Sequence, residues 1–364
     1  MDSTGLAVPH GDIAVSVKVI DVASIAGVSC KNLFTPHIDG INTFRPSPAL
    51  SFLLEHPSGK KYLFDLGVPA DLDTLGQEIA KRLKNVSYQI EAKDPASVLA
   101  ANGIPPESIS GVMWSHCHWD HKGDMKTLPA STELILGPGS TDHFIKGSGN
   151  SGLGGINPRD IEGRPVREID FKNNANCRIG RFPAVDFFED GSLYLLDTPG
   201  HEVGHICALV RTTLHPPTFV LLGGDTAHHG AEFRPSRYAP LPPEILPHPI
   251  TGSEEKGMSC TKWFDETNVK RGRKPREALY ISTLIHNDDD FHATIDMLQE
   301  ADAAENVLVL IAHDSSVRWA KNMPFFPESL NDWQERGLGR SLHWSFVGDI
   351  SQALEASGSV GCCA

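Results

Sequence analysis

Ser115-His116-Cys117-His118-Trp119-Asp120-His121 constrains this chain more than any other stretch, because it follows directly on the apolar run Gly111-Val112-Met113-Trp114. Three imidazoles and a carboxylate inside six residues cannot be laid along a buried face without leaving polar groups unpaired, at roughly 1–3 kcal/mol each. A bound cation removes that difficulty. Histidine nitrogen and carboxylate oxygen suit zinc, and also iron or manganese, so the segment reads as the start of a transition-metal site presented at the end of a strand.

The same arrangement recurs downstream. Leu193-Tyr194-Leu195-Leu196-Asp197 leads into Thr198-Pro199-Gly200-His201, Phe219-Val220-Leu221-Leu222-Gly223-Gly224 leads into Asp225, and Val307-Leu308-Val309-Leu310-Ile311-Ala312 leads into His313. A strand followed by a short polar loop is how a rigid sheet presents ligands along one edge.

Taken in order, H-x-H-x-D-H, T-P-G-H, G-D and a last histidine, preceded by Phe64-Asp65-Leu66-Gly67, resemble the signature of the metallo-β-lactamase superfamily over about residues 50 to 315. The resemblance implies an α/β fold, the αββα sandwich of two mixed β-sheets flanked by helices. The chain 1–364 would form one domain from two βα halves, about 12–190 and 191–350. The resemblance further implies two zinc ions, with iron or manganese as the alternatives. His116, His118 and His201 would hold the first, Asp120, His121 and His313 the second, and Asp225 would bridge them. Asp65 would stand behind the first loop as a hydrogen-bond partner, His205 would be structural, and Cys117 would point away from the metals. A metal-bridging hydroxide would attack a carbonyl carbon, and Asp120 would pass the proton to the leaving group.

Within the superfamily, His-Cys-His-Trp-Asp-His-Lys-Gly is most similar to the loop of quorum-quenching lactonases. Those enzymes carry a tyrosine three residues after the bridging aspartate, where this chain has His228. His228, or the adjacent His229, would then serve as oxyanion donor or proton carrier. The whole chain also resembles fungal stand-alone lactamases that open cyclic carbamates or amides such as benzoxazolinones. The expected activity is opening of a small lactam or lactone ring. A thioesterase acting on acyl-carrier or coenzyme A thioesters and a mono-iron persulfide dioxygenase are the competing readings.

A formal charge of −14 argues against a nucleic-acid partner, since phosphate binding calls for surplus Lys and Arg. The one basic run, Lys270-Arg271-Gly272-Arg273-Lys274-Pro275-Arg276, is interrupted by Gly and Pro and reads as a solvated loop. Seven cysteines without regular spacing do not suggest a disulfide framework. With no secretory leader and no run of about 18 apolar residues, the expectation is a soluble cytoplasmic protein, monomer or homodimer, acting on a small molecule away from membranes.

Strands are expected over Val15 to Ile25 and Ala49 to Asp65, the latter broken by the turn His56-Pro57-Ser58-Gly59. Helices are expected over Ala70 to Lys84, Pro95 to Asn102 and Phe291 to Ala303, the last capped by one of Asp288 to Asp290. Lys146 to Gly155, with five glycines, reads as a flexible loop. Phe233 to Met258, carrying six prolines, follows the bridging aspartate and is expected to be a lid. Tyr238 and Trp119 would then wall the pocket.

Overall fold

The computed structural model describes residues 5–147, 153–174 and 177–356. In its first sheet, β1 (Ser16–Ala26) is paired on either side by β3 (Ser47–Glu55) and β5 (Gln89–Ala92), and the sheet continues through β4 (Lys61–Phe64), β6 (Ile109–Met113), β7 (Glu133–Leu136) and β8 (Val166–Glu168). The β1–β3–β4 pairings are antiparallel, whereas β4–β6–β7–β8 run parallel, so the sheet is mixed. The second sheet follows the order β15 (Val307–Leu310), β13 (Pro217–Leu222), β12 (Ile206–Leu214), β11 (Leu193–Asp197), β10 (Phe182–Asp186), β9 (Cys177–Ile179). It is antiparallel except for the β13–β15 pair. A short ribbon joins β2 (Phe34–Thr35) to β14 (Ile281–Ser282).

Strand alternation assigns the layers. Along β11, Leu193 and Leu195 point into the core between the sheets with Val17, Val19, Phe52 and Phe64, while Tyr194 and Leu196 point outward. The outward set is covered by Phe291, Ile295 and Leu298 of the helix Asp288–Asp302, and on the far side Leu53, Leu63 and Val112 are covered by Ala96 and Leu99 of the helix Pro95–Ala101. Both faces of each sheet are therefore buried, which is why the strands read as nearly continuous apolar runs. This is the αββα sandwich.

Several boundaries differ from the sequence expectation for identifiable reasons. The helix expected over Ala70 to Lys84 splits into a 3-10 turn, Leu72–Leu75, and a helix, Gln77–Asn85, because Gly76 sits at φ 92°, outside any helical conformation. The helix expected from Phe291 begins at Asp288 instead. Its cap is Asn287, whose side chain accepts from the Asp290 amide, and the three aspartates fill the first turn, where the helix dipole favours them. The division between sheets falls between Glu168 and Cys177 rather than at 190, since β9 and β10 belong to the second sheet.

The basic run is not a freely solvated loop. Arg271 donates to the Pro36 carbonyl and Arg273 to that of Ala278.

The centre of the glycine-rich segment, 148–152, lies outside the described residues. Its end performs a packing role. The Gly155 amide donates to the Cys117 carbonyl at 2.9 Å and the Trp119 amide to that of Leu153 at 2.9 Å. A Cβ at Gly154 would meet the Cys117 oxygen at 2.3 Å, so only glycine lets this strand lie against the histidine loop.

Candidate metal centre

The site lies where four strands of the two sheets end. β4 and β6 are parallel neighbours, so the loops that leave them run side by side; the Asp65 amide donates to the Met113 carbonyl, and the Leu66 amide to that of His121. Asp65 adopts φ 55°, a conformation that short polar side chains tolerate better than most. Its Oδ1 accepts from the Ser115 amide at 2.6 Å and its Oδ2 from Ser115 Oγ at 2.7 Å and His121 Nδ1 at 2.8 Å. Asp65 thus fastens the turn that carries His116 to His121. From the second sheet, β11 delivers His201, β13 delivers Asp225 and β15 delivers His313. Gly224, at φ 50°, brings the Asp225 loop against the histidine loop, where a Cβ would meet that of Ser115 at 2.7 Å.

All seven residues singled out in the sequence converge. His116, His118, His201 and Asp225 form one cluster and Asp120, His121 and His313 a second, each with its ligand atoms within 4.8 Å of one another. His201 Nε2 lies 3.2 Å from His116 Nε2 and 3.1 Å from His118 Nδ1. Asp225 spans the two clusters. Its Oδ2 is 3.7 Å from His116 Nε2 and 3.5 Å from His201 Nε2, and its Oδ1 is 3.1 Å from His121 Nε2 and 3.2 Å from His313 Nε2. Asp120 Oδ2 stands 3.4 Å from His313 Nε2.

Each imidazole has its other nitrogen engaged. His116 Nδ1 is 3.0 Å from Ser115 Oγ, His118 Nε2 is 3.1 Å from Glu202 Oε2, and His121 Nδ1 is bonded to Asp65. His201 Nδ1 donates to the Leu284 carbonyl at 3.0 Å and His313 Nδ1 to that of Pro48 at 2.7 Å. With those nitrogens donating, the five facing the centre are lone pairs aimed at one another and at two carboxylates. His121 Nε2 and Asp225 Oδ1 are buried without any hydrogen-bond partner despite their proximity. Donor atoms bonded to one tetrahedral zinc at about 2.05 Å stand roughly 3.3 Å apart. The observed spacings match that figure, and the donor set fits cations.

Without cations the electrostatics are divided. Burial, reinforced by neighbouring imidazoles, drives His116 and His201 well below the ordinary histidine range. Burial also works against charge on His121 and His313, but Asp225 outweighs it and raises both. Asp225, though buried, is held well below the carboxylate range by His121, His313 and His228.

His205 is not in either cluster. Its Nε2 accepts the Asp225 amide at 3.1 Å and its Nδ1 donates to the Thr198 carbonyl; burial lowers it to about 4, so it stays neutral and holds the Asp225 backbone. Cys117 packs among Leu66, Trp114 and Met125 behind the loop, away from the ligands.

A cavity of about 420 Å³ opens over the clusters, lined by His118, Asp120, Asp225, His228 and His313 at its base. Trp119 is part of the wall, as expected. Other wall residues, among them Ile25, Val28, Leu33, Phe34, Phe44, Leu83, Val86 and Tyr88, were not marked in the sequence as facing a site.

The segment expected to form a lid, 233–258, takes no part in lining this cavity. Leu241, Ile245 and Met258 instead pack with Trp263 and Phe264 of the helix Thr261–Lys270. Tyr238 is accordingly not a wall residue, and its hydroxyl accepts from Arg237 at 2.7 Å. His229 is also absent from the lining. It stacks on Phe44 at 4.1 Å and contacts Asp349 at 3.2 Å.

His228 does line the cavity, with Nε2 3.2 Å from Asp225 Oδ2 but out of hydrogen-bond alignment. Burial opposes its charge and Asp225 overrides that, raising it to about 9. Two carboxylates that the sequence reading missed hold these histidines. Glu202 bonds His118, and buried Glu232 accepts the backbone amides of His228 at 2.5 Å and His229 at 2.9 Å. Glu202 sits beside the Thr-Pro-Gly-His motif, and that adjacency was the available signal.

Fold and site together define a metal-binding α/β hydrolase scaffold, and the comparisons identify it. The family model of the metallo-beta-lactamase superfamily matches residues 44–257, and the chain belongs to that superfamily. It is 37% identical over 356 residues to a gamma-lactamase, FDB1, of Fusarium pseudograminearum, covering 94% of this chain and 84% of that one. It is also 37% identical to a metallo-hydrolase, mfmC, of Annulohypoxylon moriforme, covering 96% and 91%. Among solved structures, B. thuringiensis AiiA with N-decanoyl-L-homoserine at its active site superposes with a TM-score of 0.55 at 15% identity, over 88% of this chain and 100% of that one, a likeness of fold. The chain is a metal-dependent hydrolase of that superfamily. No helix among the described residues is long and apolar enough to cross a membrane.

Proposed function

We propose that this protein opens a small lactam or lactone ring at a dinuclear zinc centre held by His116, His118, Asp120, His121, His201, Asp225 and His313. The observation that carries the reading is the Asp225 carboxylate, with one oxygen turned to each cluster. Relatives called gamma-lactamases and metallo-hydrolases over nearly the whole chain support it. Cations held by these residues would supply a hydroxide at neutral pH and polarise the carbonyl of the scissile bond.

The chain's own groups do the remaining work. Asp225 fixes the spacing of the two clusters, and His205 fixes Asp225 through its amide. Asp120, partly open to the cavity, is placed to take a proton and return it to the leaving nitrogen or oxygen. His228 stands where the related lactonases carry tyrosine and donates a hydrogen bond to the acyl oxygen as charge develops there. The apolar wall excludes water from the ring and orients it. A three-plus-three ligand set with a bridging carboxylate favours this reading over a mono-iron dioxygenase.

The test is a panel of lactones, lactams and thioesters assayed with metal-quantified protein. Ring opening of a lactam or lactone, lost in Asp225→Ala while the far-UV circular dichroism stays the same, is expected. Turnover confined to thioesters, or full activity in a metal-free Asp225→Ala, would contradict it.

A further inference from the structure

Away from the metal ligands and His228, one formal charge faces the cavity among its described lining residues, the guanidinium of Arg82 on the helix Gln77–Asn85. Leu83, Val86 and Tyr88, close to it in sequence, also line the cavity, and Asn32 and Ser47 are uncharged polar residues of the same lining.

Arg82 is also unusual among the arginines. Of the chain's sixteen, Arg82 and Arg276 are the two whose side chains find no hydrogen-bond, ion-pair or ring partner among the described residues. Arg276 lines a different surface cavity. In a chain of net charge −14, carboxylates are plentiful, and Lys84, on the same helix, takes one from Asp73 at 2.6 Å. Arg82, exposed to solvent, is left unpaired on a largely apolar cavity that also holds His118, Asp120, Asp225 and His313.

A cavity with candidate metal ligands, apolar walls and one unpaired cation is complementary to a molecule that carries a reactive acyl group, an apolar body and an anion. A guanidinium offers a planar fork of donors that a carboxylate fills with two parallel hydrogen bonds, and it keeps its charge at any working pH.

We propose that Arg82 is a specificity-determining residue of this cavity, selecting ring substrates that carry a carboxylate at the far end of an apolar body. The inference rests on the hydrolytic reading of the site, and its test separates the two. γ-Lactones bearing an unbranched chain that ends in a carboxylate, and their methyl esters, are compared with the metal-loaded full-length protein, Arg82→Gln and Arg82→Lys.

The parent enzyme is expected to prefer the carboxylate roughly three- to tenfold in kcat/KM, carried by KM and shrinking as ionic strength rises, the scale of a partly screened ion pair. Arg82→Gln is expected to erase that preference while leaving the ester kinetics unchanged, and Arg82→Lys to keep part of it. No carboxylate preference in the parent, or one that survives in Arg82→Gln, overturns the proposal.

If neither lactone is turned over, the hydrolytic reading fails and binding decides the Arg82 inference separately. Isothermal titration of the metal-loaded protein should then report tighter binding of the carboxylate than of the ester by the parent, and equal binding by Arg82→Gln. Equal binding by the parent would overturn it.

Discussion

At the metal centre, position is set less by the ligands than by what holds their far sides. His118 differs from the other four histidines in presenting Nδ1 to the centre, and it does so because Glu202 holds its Nε2. Burial alone would raise the Glu202 carboxyl, but its bond to His118 and the amide of Val203 keep it low, so it remains a charged acceptor. Glu202→Gln removes that charge while keeping the shape. It should weaken the first cation's binding roughly 10–100-fold, with activity restored by added metal and helical content unchanged. Isothermal titration with the metal checks this, and an affinity equal to the parent's would show that Glu202 does not orient His118. The convergence of the seven candidate ligands was legible in the sequence because imidazoles at such density are hard to accommodate in a core. Glu202 carried a weaker signal, its place directly after the Thr-Pro-Gly-His motif, which does not name His118 as its partner.

At the level of elements, the cavity depends on contacts between segments far apart in sequence. Asp349, in the 3-10 segment Ser345–Ile350, bonds Ser315 at 2.8 Å, contacts His229 at 3.2 Å and pairs with Arg45, which precedes β3. His229 in turn stacks on the wall residue Phe44. Burial would raise the Asp349 carboxyl, but His229 and Arg45 outweigh it and bring it to about 2. A carboxyl lowered on folding stabilises the fold fully above its unfolded value near 4, and that stabilisation fades as pH falls through 2. Asp349→Asn should therefore cost about 2 kcal/mol at pH 7, with the gap to the parent closing between about pH 4 and 2. Denaturant unfolding across that range measures it, and a gap independent of pH would contradict the assignment. The proline-rich segment follows Asp225 directly in sequence, yet in space it packs with the helix Thr261–Lys270 rather than lining the cavity. The wall includes apolar residues such as Val28, Leu33 and Val86, which in sequence look like ordinary core.

For the whole molecule, two mixed sheets packed face to face bring strand ends 200 residues apart in sequence to a single edge, as His116 and His313 show. The layers were legible because both faces of each sheet are covered, which writes long apolar runs into β3, β12 and β13. The assignment of β9 and β10 was not, since a short edge strand leaves too few alternations to show which sheet it joins. The most direct measurement is the number of cations bound per chain, by elemental analysis of the parent and of Asp225→Ala. The account predicts two in the parent and loss of binding at both clusters in the variant. One cation in the parent, or two retained without the Asp225 carboxylate, would contradict it.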